Sequence, residues 1–504
     1  MNFQGMKAAL HTLGCKVNVY ETDAMRAMLE EAGFETVSFD EPADVYVINT
    51  CSVTNIADRK SRQMIRRARK MNPDAVVVAA GCYVQTALEK TGKSLEADIV
   101  LGSGRKGRLV EELEKYLANA GGSAHAGQAH ADPAHADPGH AAESVGSVGD
   151  VMHEKEWEEM TLPRIEGHTR AYIKVQDGCN MFCSYCIIPY ARGRIRSRKS
   201  EDIRRELETL ARSGVKEVVL TGIHLSSYGV DFSGNIDDAY GENGEKKTWQ
   251  ERSKLIDLIE EISQIDGIER IRLGSLEPTI ITKESVSRLS QIDKLCPHFH
   301  LSLQSGCDSV LKRMNRHYTA EEYRERVNLL REAFDTPAVT TDVIVGFPGE
   351  TEDEFEQTRA FLESICLYET HLFRYSMRAG TRAAAMKDQV PEAVKEERLG
   401  VLSELGRRCS RSFEEARDGM EASVLFEEEA QIGSSGTVSV PNAGLGSLGA
   451  GKIAGPVPEG MKLYTGYTRE YIRAFAFSKE DLRGQIRNGK LTVESLPVLE
   501  YTRL

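Results

Sequence analysis

Between residues 170 and 376 six short apolar runs, AYIKVQ, EVVLTG, RIRLGS, FHLSLQ, TTDVIVG and THLFRYS, are each followed by a stretch with helical periodicity. Strands alternating with helices pair in parallel, because each helix returns the chain to the edge of the sheet it left. Six such units predict an open, incomplete (β/α)6 barrel, and we assign it residues 165–410. In folds of this kind the reacting groups gather at the carboxyl ends of the strands, where the βα loops converge.

The remainder divides around this unit, giving an α/β chain of about three domains by length. Residues 6–118 alternate KAALHTLG, DVYVINT and AVVVAAG with helical patterns, which predicts a parallel α/β sheet. Residues 119–152 are rich in Ala, Gly, His and Pro and read as a low-complexity linker, with His125, His130, His135 and His140 as passengers. An acidic, Gly-rich stretch at 231–247 reads as a surface insertion. Residues 411–504 carry ASVLFEE, TVSV, KLYTGYT, YIRAFAF and KLTVES between Gly-rich turns, the pattern of a small β-barrel.

No run of eighteen apolar residues and no basic-then-apolar leader is present, so the expected location is the cytoplasm, with no membrane partner. Ten cysteines in a reducing compartment favour metal or redox chemistry over disulfides. The net charge of −13 argues mildly against nucleic acid, although two basic clusters, Arg59–Lys70 and Arg192–Lys199, stand out against it.

Cys179, Cys183 and Cys186 follow the first barrel strand as CNMFCSYC. Three thiolates on a [4Fe-4S] cluster leave one iron open to a substrate, whereas a structural zinc would need a fourth ligand. Cys15, Cys51 and Cys82 each stand just beyond an apolar run, in TLGC, VINTC and AAGC, so a parallel sheet would bring them to one carboxyl edge as a second three-cysteine cluster site. Cys296, Cys307, Cys366 and Cys409 show no such arrangement and read as structural.

The CxxxCxxC loop on such a barrel resembles the radical S-adenosylmethionine (SAM) superfamily. The order TLGCKVN, NTC and GC, then the triad, then a β-rich tail resembles its methylthiotransferases over nearly the full chain. RLGSLEP and LKRMNRHYT look most like the branch acting on N6-threonylcarbamoyladenosine at position 37 of tRNA. The resemblance implies two [4Fe-4S] clusters and SAM as cofactors, an anticodon loop as partner, an electron donor such as flavodoxin or ferredoxin, and a sulfur source. It implies a SAM and substrate cavity lined by Tyr185, Thr221 and Gly222 of TGIHL, Ser275 and Glu277, Gln304 and Asp342. It also makes the tail similar to the RNA-binding TRAM domain, with Arg469, Arg473, Tyr467 and Tyr471 facing RNA, and offers Arg192, Arg194 and Arg316 as RNA-contacting cations at the barrel mouth. Rival readings are a methylthiotransferase acting on isopentenyladenosine or a ribosomal-protein aspartate, and a non-catalytic iron-sulfur redox sensor that binds RNA. The chain departs from the family at the histidine-bearing linker, the 231–247 insertion, Arg382 in place of a proline, and the Gly-rich tail.

Overall fold

The computed structural model describes residues 3–91, 95–120, 145–162, 169–232, 248–432, 438–439, 458–494 and 496–500. The four linker histidines and most of the 231–247 insertion lie outside these residues. Among the described residues no helix is long and apolar enough to cross a membrane.

The N-terminal sheet is parallel throughout, with strands β1 (Lys7–Thr12), β2 (Glu35–Val37), β3 (Val45–Thr50), β4 (Val76–Gly81), β5 (Ile99–Leu101) and β6 (Val145–Ser147) in the order β2-β1-β3-β4-β5-β6. All six residues of β3 and of β4 are buried, as in strands covered by helices on both faces. The strand order reverses between β1 and β3, so a crevice opens at their carboxyl ends. β6 corrects the linker expected at 119–152. Its three residues extend the sheet by backbone pairing to β5, and a Cβ on Gly146 would run into the Val100 carbonyl. Edge pairing of this kind needs no apolar periodicity, which is why the sequence hid it.

The six expected barrel strands are present as β7 (Arg170–Asp177), β9 (Glu217–Gly222), β10 (Arg270–Leu273), β12 (His298–Leu301), β13 (Ala338–Val345) and β14 (Glu369–Arg374). A short β8 (Arg196–Ser197) flanks β7 in antiparallel fashion, and β11 (Ser275–Leu276) splits the RIRLGS run. The split falls at Gly274, where a Cβ would lie 2.9 Å from the Leu220 carbonyl oxygen. The sheet therefore forms two halves, β10-β9-β7-β8 and β11-β12-β13-β14, linked by a bridge from Ile271 to Leu295.

Alternation sorts the barrel residues into two environments. Ala171, Ile173, Val175, Val218, Leu220, Ile271, Phe299, Leu301, Val339 and Val343 enter the main apolar core. The opposite face is polar: Arg272 pairs with Glu217 at 2.9 Å, His300 Nδ1 lies 2.9 Å from Thr340 Oγ1, and the His300 and His371 rings stack at 5.5 Å. Against the upward push of burial, Arg272 and Arg170 hold the Glu217 carboxyl down at about 2.

The tail closes into a five-stranded barrel of β15 (Glu421–Glu429), β18 (Lys462–Thr468), β19 (Arg473–Ser478), β20 (Ile486–Val493) and β21 (Pro497–Glu500), beside a hairpin of β16 (Gln431–Ile432) and β17 (Val438–Ser439). It docks at the amino ends of the central strands. Arg170 pairs with Glu427 and donates to Tyr471 Oη at 2.9 Å, and Arg270 donates to the Tyr467 and Ser423 carbonyls at 3.0 and 2.8 Å. Cys366 and Cys409, expected as structural thiols, form a disulfide with their Cα atoms 5.3 Å apart.

Glu369 opens β14 against the helix Glu392–Glu415, where burial and then the nearby Glu414 raise its carboxyl to about 7. The unfolded chain releases this proton near the ordinary value of 4.5, whereas the native chain keeps it to about 7. Stability therefore falls as pH rises through that window and levels off above it. Glu369→Gln should remove this carboxyl's share of the fall, leaving that of Glu414, which burial raises to about 6, and stabilise the protein at pH 8 by on the order of 2 kcal/mol. Thermal unfolding of both proteins between pH 4.5 and 8 checks this, and parallel curves would refute it.

Candidate active site

The first triad sits on the loop that leaves β7. Gly178, at φ +70°, turns the chain where a side chain would strike the Arg194 carbonyl, and Cys179 N then donates to Gly193 O at 3.0 Å. The RMNR segment braces the loop from across the barrel. Ser184 Oγ donates to Arg313 O at 2.8 Å, Ser184 N to Met314 O at 2.9 Å, and Asn315 Nδ2 to Met181 O at 3.3 Å. Burial, and then the neighbouring Cys183, push the Cys186 thiol up to about 12, while Cys179 is also raised by burial.

The expected cavity residues surround this loop at the carboxyl ends of the strands. Thr221 and Gly222 end β9, and Gln176 ties them to the triad loop: its Oε1 accepts from His224 N and its Nε2 donates to Gly178 O, both at 2.7 Å. Glu277 is buried against Arg316 at 2.6 Å, and Ser275 Oγ, on the exposed side, meets Ser302 Oγ at 2.8 Å. Gln304 adopts φ +71° and bonds across to Asp342 O at 2.8 Å. His300 holds the Asp342 carboxyl low against burial. The Tyr185 ring packs edge-on to Phe347, in an apolar group with Cys307 and Met314.

The second triad forms at the crevice of the N-terminal sheet. Cys15 caps helix α1 (Lys16–Glu31), Cys51 follows β3, and Cys82 opens helix α3 (Cys82–Thr91); between the last two lies helix α2 (Asn55–Met71). Gly14 has φ +103°, and a Cβ there would stand 2.8 Å from Cys51 Sγ, so only glycine lets these segments approach so closely. Asn18 Nδ2 ties the β1 and β3 ends by donating to Leu13 O at 2.7 Å and Thr50 O at 3.0 Å. Burial, then Cys82, push the Cys51 thiol up to about 12. Thiols raised so far become thiolates only beside compensating positive charge, which bound iron supplies. Among the described residues no three His, Cys, Asp or Glu side chains close on a single ion. A cubane asks for a different arrangement, since each cysteine binds a separate iron.

Arg192, expected at the RNA, is instead fully buried between the two triads. Its Nε donates to Cys82 Sγ at 3.2 Å, Nη2 to Asn18 Oδ1 at 2.6 Å, and Nη1 to Glu21 at 2.9 Å and Asp177 at 3.1 Å. Lys174 reaches Glu21 at 2.8 Å and Asp177 at 2.6 Å, and Lys106 also pairs with Glu21. Arg316 likewise leaves the RNA set: it is buried, held by Glu277, and donates to Cys183 Sγ at 3.3 Å. Arg194 is exposed, its guanidinium 4.7 Å from the Phe182 ring centroid.

The tail residues expected at RNA are engaged in the docking seam. Tyr467 and Tyr471 stack at 4.5 Å with Arg170 within 5.1 Å of both ring centroids, Arg469 donates to Leu295 O at 2.9 Å, and Arg473 bonds Tyr467 Oη. Lys16, by contrast, is half-buried beside Cys15 and joins no carboxylate among the described residues, although its charge is felt by Asp342 and His371 on the polar barrel face. Asn18, Glu21, Asp177 and Gln176 escaped the sequence reading. One signal was available for Glu21, which interrupts the buried stripe of Val17, Tyr20 and Ala24 on α1.

Comparison with known proteins agrees with this arrangement. The Radical SAM superfamily matches residues 173–362, and Uncharacterized protein family UPF0004 matches residues 7–102. A threonylcarbamoyladenosine tRNA methylthiotransferase MtaB of Bacillus subtilis (strain 168) is 36% identical over 98% of this chain and 95% of its own. Its namesake in Aquifex aeolicus (strain VF5) is 39% identical over 88% and 98%. A tRNA-2-methylthio-N(6)-dimethylallyladenosine synthase of Moorella thermoacetica is 35% identical over 82% and 86%. With likeness of this extent reaching across both cysteine-bearing domains, the chain belongs to the radical SAM methylthiotransferase family.

Proposed function

We propose that this enzyme transfers a methylthio group to carbon 2 of N6-threonylcarbamoyladenosine in the anticodon loop of tRNA. The observation that carries the reading is the pair of cysteine triads at two sheet edges, joined through Arg192, in a chain whose near-full-length relatives include the MtaB enzymes. Carbon 2 of adenine offers neither an acidic proton nor a leaving group, so acid-base or nucleophilic catalysis has nothing to act on. A bound [4Fe-4S] cluster with an open iron supplies the one-electron reduction that cleaves SAM. Cys179, Cys183 and Cys186 would hold that cluster, and Cys15, Cys51 and Cys82 a second one for sulfur delivery. Around the first, Gln176, Glu277 and Arg316 fix the loops, and Tyr185 with Thr221, Gly222, Ser275, Gln304 and Asp342 would line the SAM and substrate cavity. A second SAM would supply the methyl carbon, and an external electron donor and a sulfur source complete the reaction.

Threonylcarbamoyl brings a carboxylate, which is costly to move out of water unless a cation meets it. Arg192 and Arg316 are already committed to Glu21, Asp177 and Glu277. Lys16 is the better candidate, since it stands beside Cys15 without a carboxylate of its own. The isopentenyl reading, drawn from relatives such as the Moorella enzyme, would leave that ammonium with only the more distant Glu217 and Tyr471 to act on it.

Two outcomes follow. Anaerobic reconstitution should give about eight irons per chain, and Cys51→Ala about four, with SAM still cleaved but no methylthio product formed; a wild-type plateau near four sinks the two-cluster reading. Nucleoside mass spectrometry should find threonylcarbamoyladenosine tRNA converted, and Lys16→Met should raise KM for that tRNA about tenfold or more, the scale of a lost charged hydrogen bond. Conversion of isopentenyladenosine tRNA alone would refute the substrate.

A further inference from the structure

Helix α2 carries seven basic residues in seventeen, and Asp58 is its only acid. Ser61, Ile65 and Ala68 bury one stripe against the sheet, which turns the basic residues outward. Arg59, Arg62, Gln63, Arg66, Arg67 and Lys70 line one surface depression. Three of the helix's cations are matched within the molecule, in the pairs Arg66–Glu96, Arg67–Asp40 and Arg69–Asp98. Arg59, Lys60, Arg62 and Lys70 join no carboxylate among the described residues, although Arg62 donates to Tyr83 Oη at 3.3 Å. In a chain of net charge −13 such a face is out of character, and four of its seven cations meet no carboxylate among the described residues.

Its position is fixed with respect to the barrel. Asn55 N donates to Ser376 Oγ at 3.1 Å, and Arg378 reaches Asn55 Oδ1 at 2.7 Å, Ser52 Oγ at 2.8 Å and Asp58 at 2.7 Å. These bonds hold the start of α2 against the segment that leaves the carboxyl end of β14. Val53 and Ile56 on one side of this junction, and Phe373 and Met377 on the other, are 45 to 49% exposed. The basic face therefore begins beside an apolar rim on the carboxyl-end mouth and runs away from it, from Arg59 to Lys70, for about 17 Å at 1.5 Å per residue.

We infer that α2 is an RNA-docking surface, its unpaired cations holding the sugar-phosphate backbone of the tRNA while the apolar rim receives unpaired bases beside the target adenosine. This inference rests on the tRNA reading above and deepens it. A solvated helix face would account for the charge, but not for its start at the rim of the mouth. An acidic electron-carrier protein would also suit a basic face. RNA fits better because unstacked bases need apolar surface at the entrance to the cavity, and phosphates need cations leading away from it.

The test uses the reconstituted full-length enzyme and unmodified-at-C2 threonylcarbamoyladenosine tRNA, with affinity measured at several salt concentrations. Arg59→Gln, Arg62→Gln and Lys70→Gln together should weaken binding at least tenfold and make the salt slope shallower by about two to three, since each lost phosphate contact lowers it by roughly one. The same number of charges removed from helix Ser200–Arg212, as Arg204→Gln, Arg205→Gln and Arg212→Gln, should leave the slope near wild type. Equal effects of the two sets, or none from the first, overturn the inference. So does slower cluster reduction by an acidic carrier with tRNA binding intact. If the α2 set loses iron or its circular dichroism, acetylation of Lys60 and Lys70 in the wild type decides: protection by tRNA supports docking, and undiminished labelling refutes it. A wild type that neither binds nor converts the tRNA defeats the substrate reading itself, whereas normal conversion with an indifferent α2 defeats only this surface.

Discussion

The architecture turns on one buried set of charges. Glu21 from the N-terminal domain and Asp177 from the end of the first barrel strand share Arg192 and Lys174, and Lys106 completes the set around Glu21. Removing one member of a buried pair leaves an uncompensated charge at a cost of about 3–5 kcal/mol, so the two domains are bound by a contact neither can lose singly. The same guanidinium reaches Cys82 through Nε, and Asp177 is two residues from Cys179. Domain docking and the spacing of the two triads are thus one geometric fact.

The barrel repeats this logic with a different partition. One face of each strand feeds the apolar core under the helices, while the other is lined with arginine, glutamate and histidine. A closed eight-stranded barrel fills its interior with branched apolar side chains. Here the polar face is satisfied by pairing across strands and, at the amino ends, by the tail, whose carbonyls at Tyr467, Thr468 and Arg469 accept from Arg270 and Arg272.

Much of this was legible in the sequence. All six barrel strands, the α/β sheet and four strands of the tail barrel came from periodicity, whereas TVSV fell in the separate β16–β17 hairpin and β21 was missed; the positions of the six cysteines beyond their strands followed from topology. What failed was the sorting of arginines. A basic residue near a motif looks the same whether it will face RNA or a buried carboxylate, and Arg192, Arg316, Arg469 and Arg473 all found partners within the protein. YTREYIR is the turn between β18 and β19 rather than a strand facing RNA, and its aromatics pack against Arg170. The partners of Arg192, Arg316 and Arg469 lie far away in sequence, 171 residues in the case of Arg192 and Glu21, and no local pattern encodes such a distance.

Docking of the tail also gives the barrel a direction. Tyr471, with its ring 5.1 Å from that of His298, and the Arg469 backbone stand over the amino ends of the strands. The loop of Cys179, Cys183 and Cys186 stands at the opposite, carboxyl end, so the tail occupies one end of the barrel and leaves the other as the face toward which a substrate is presented.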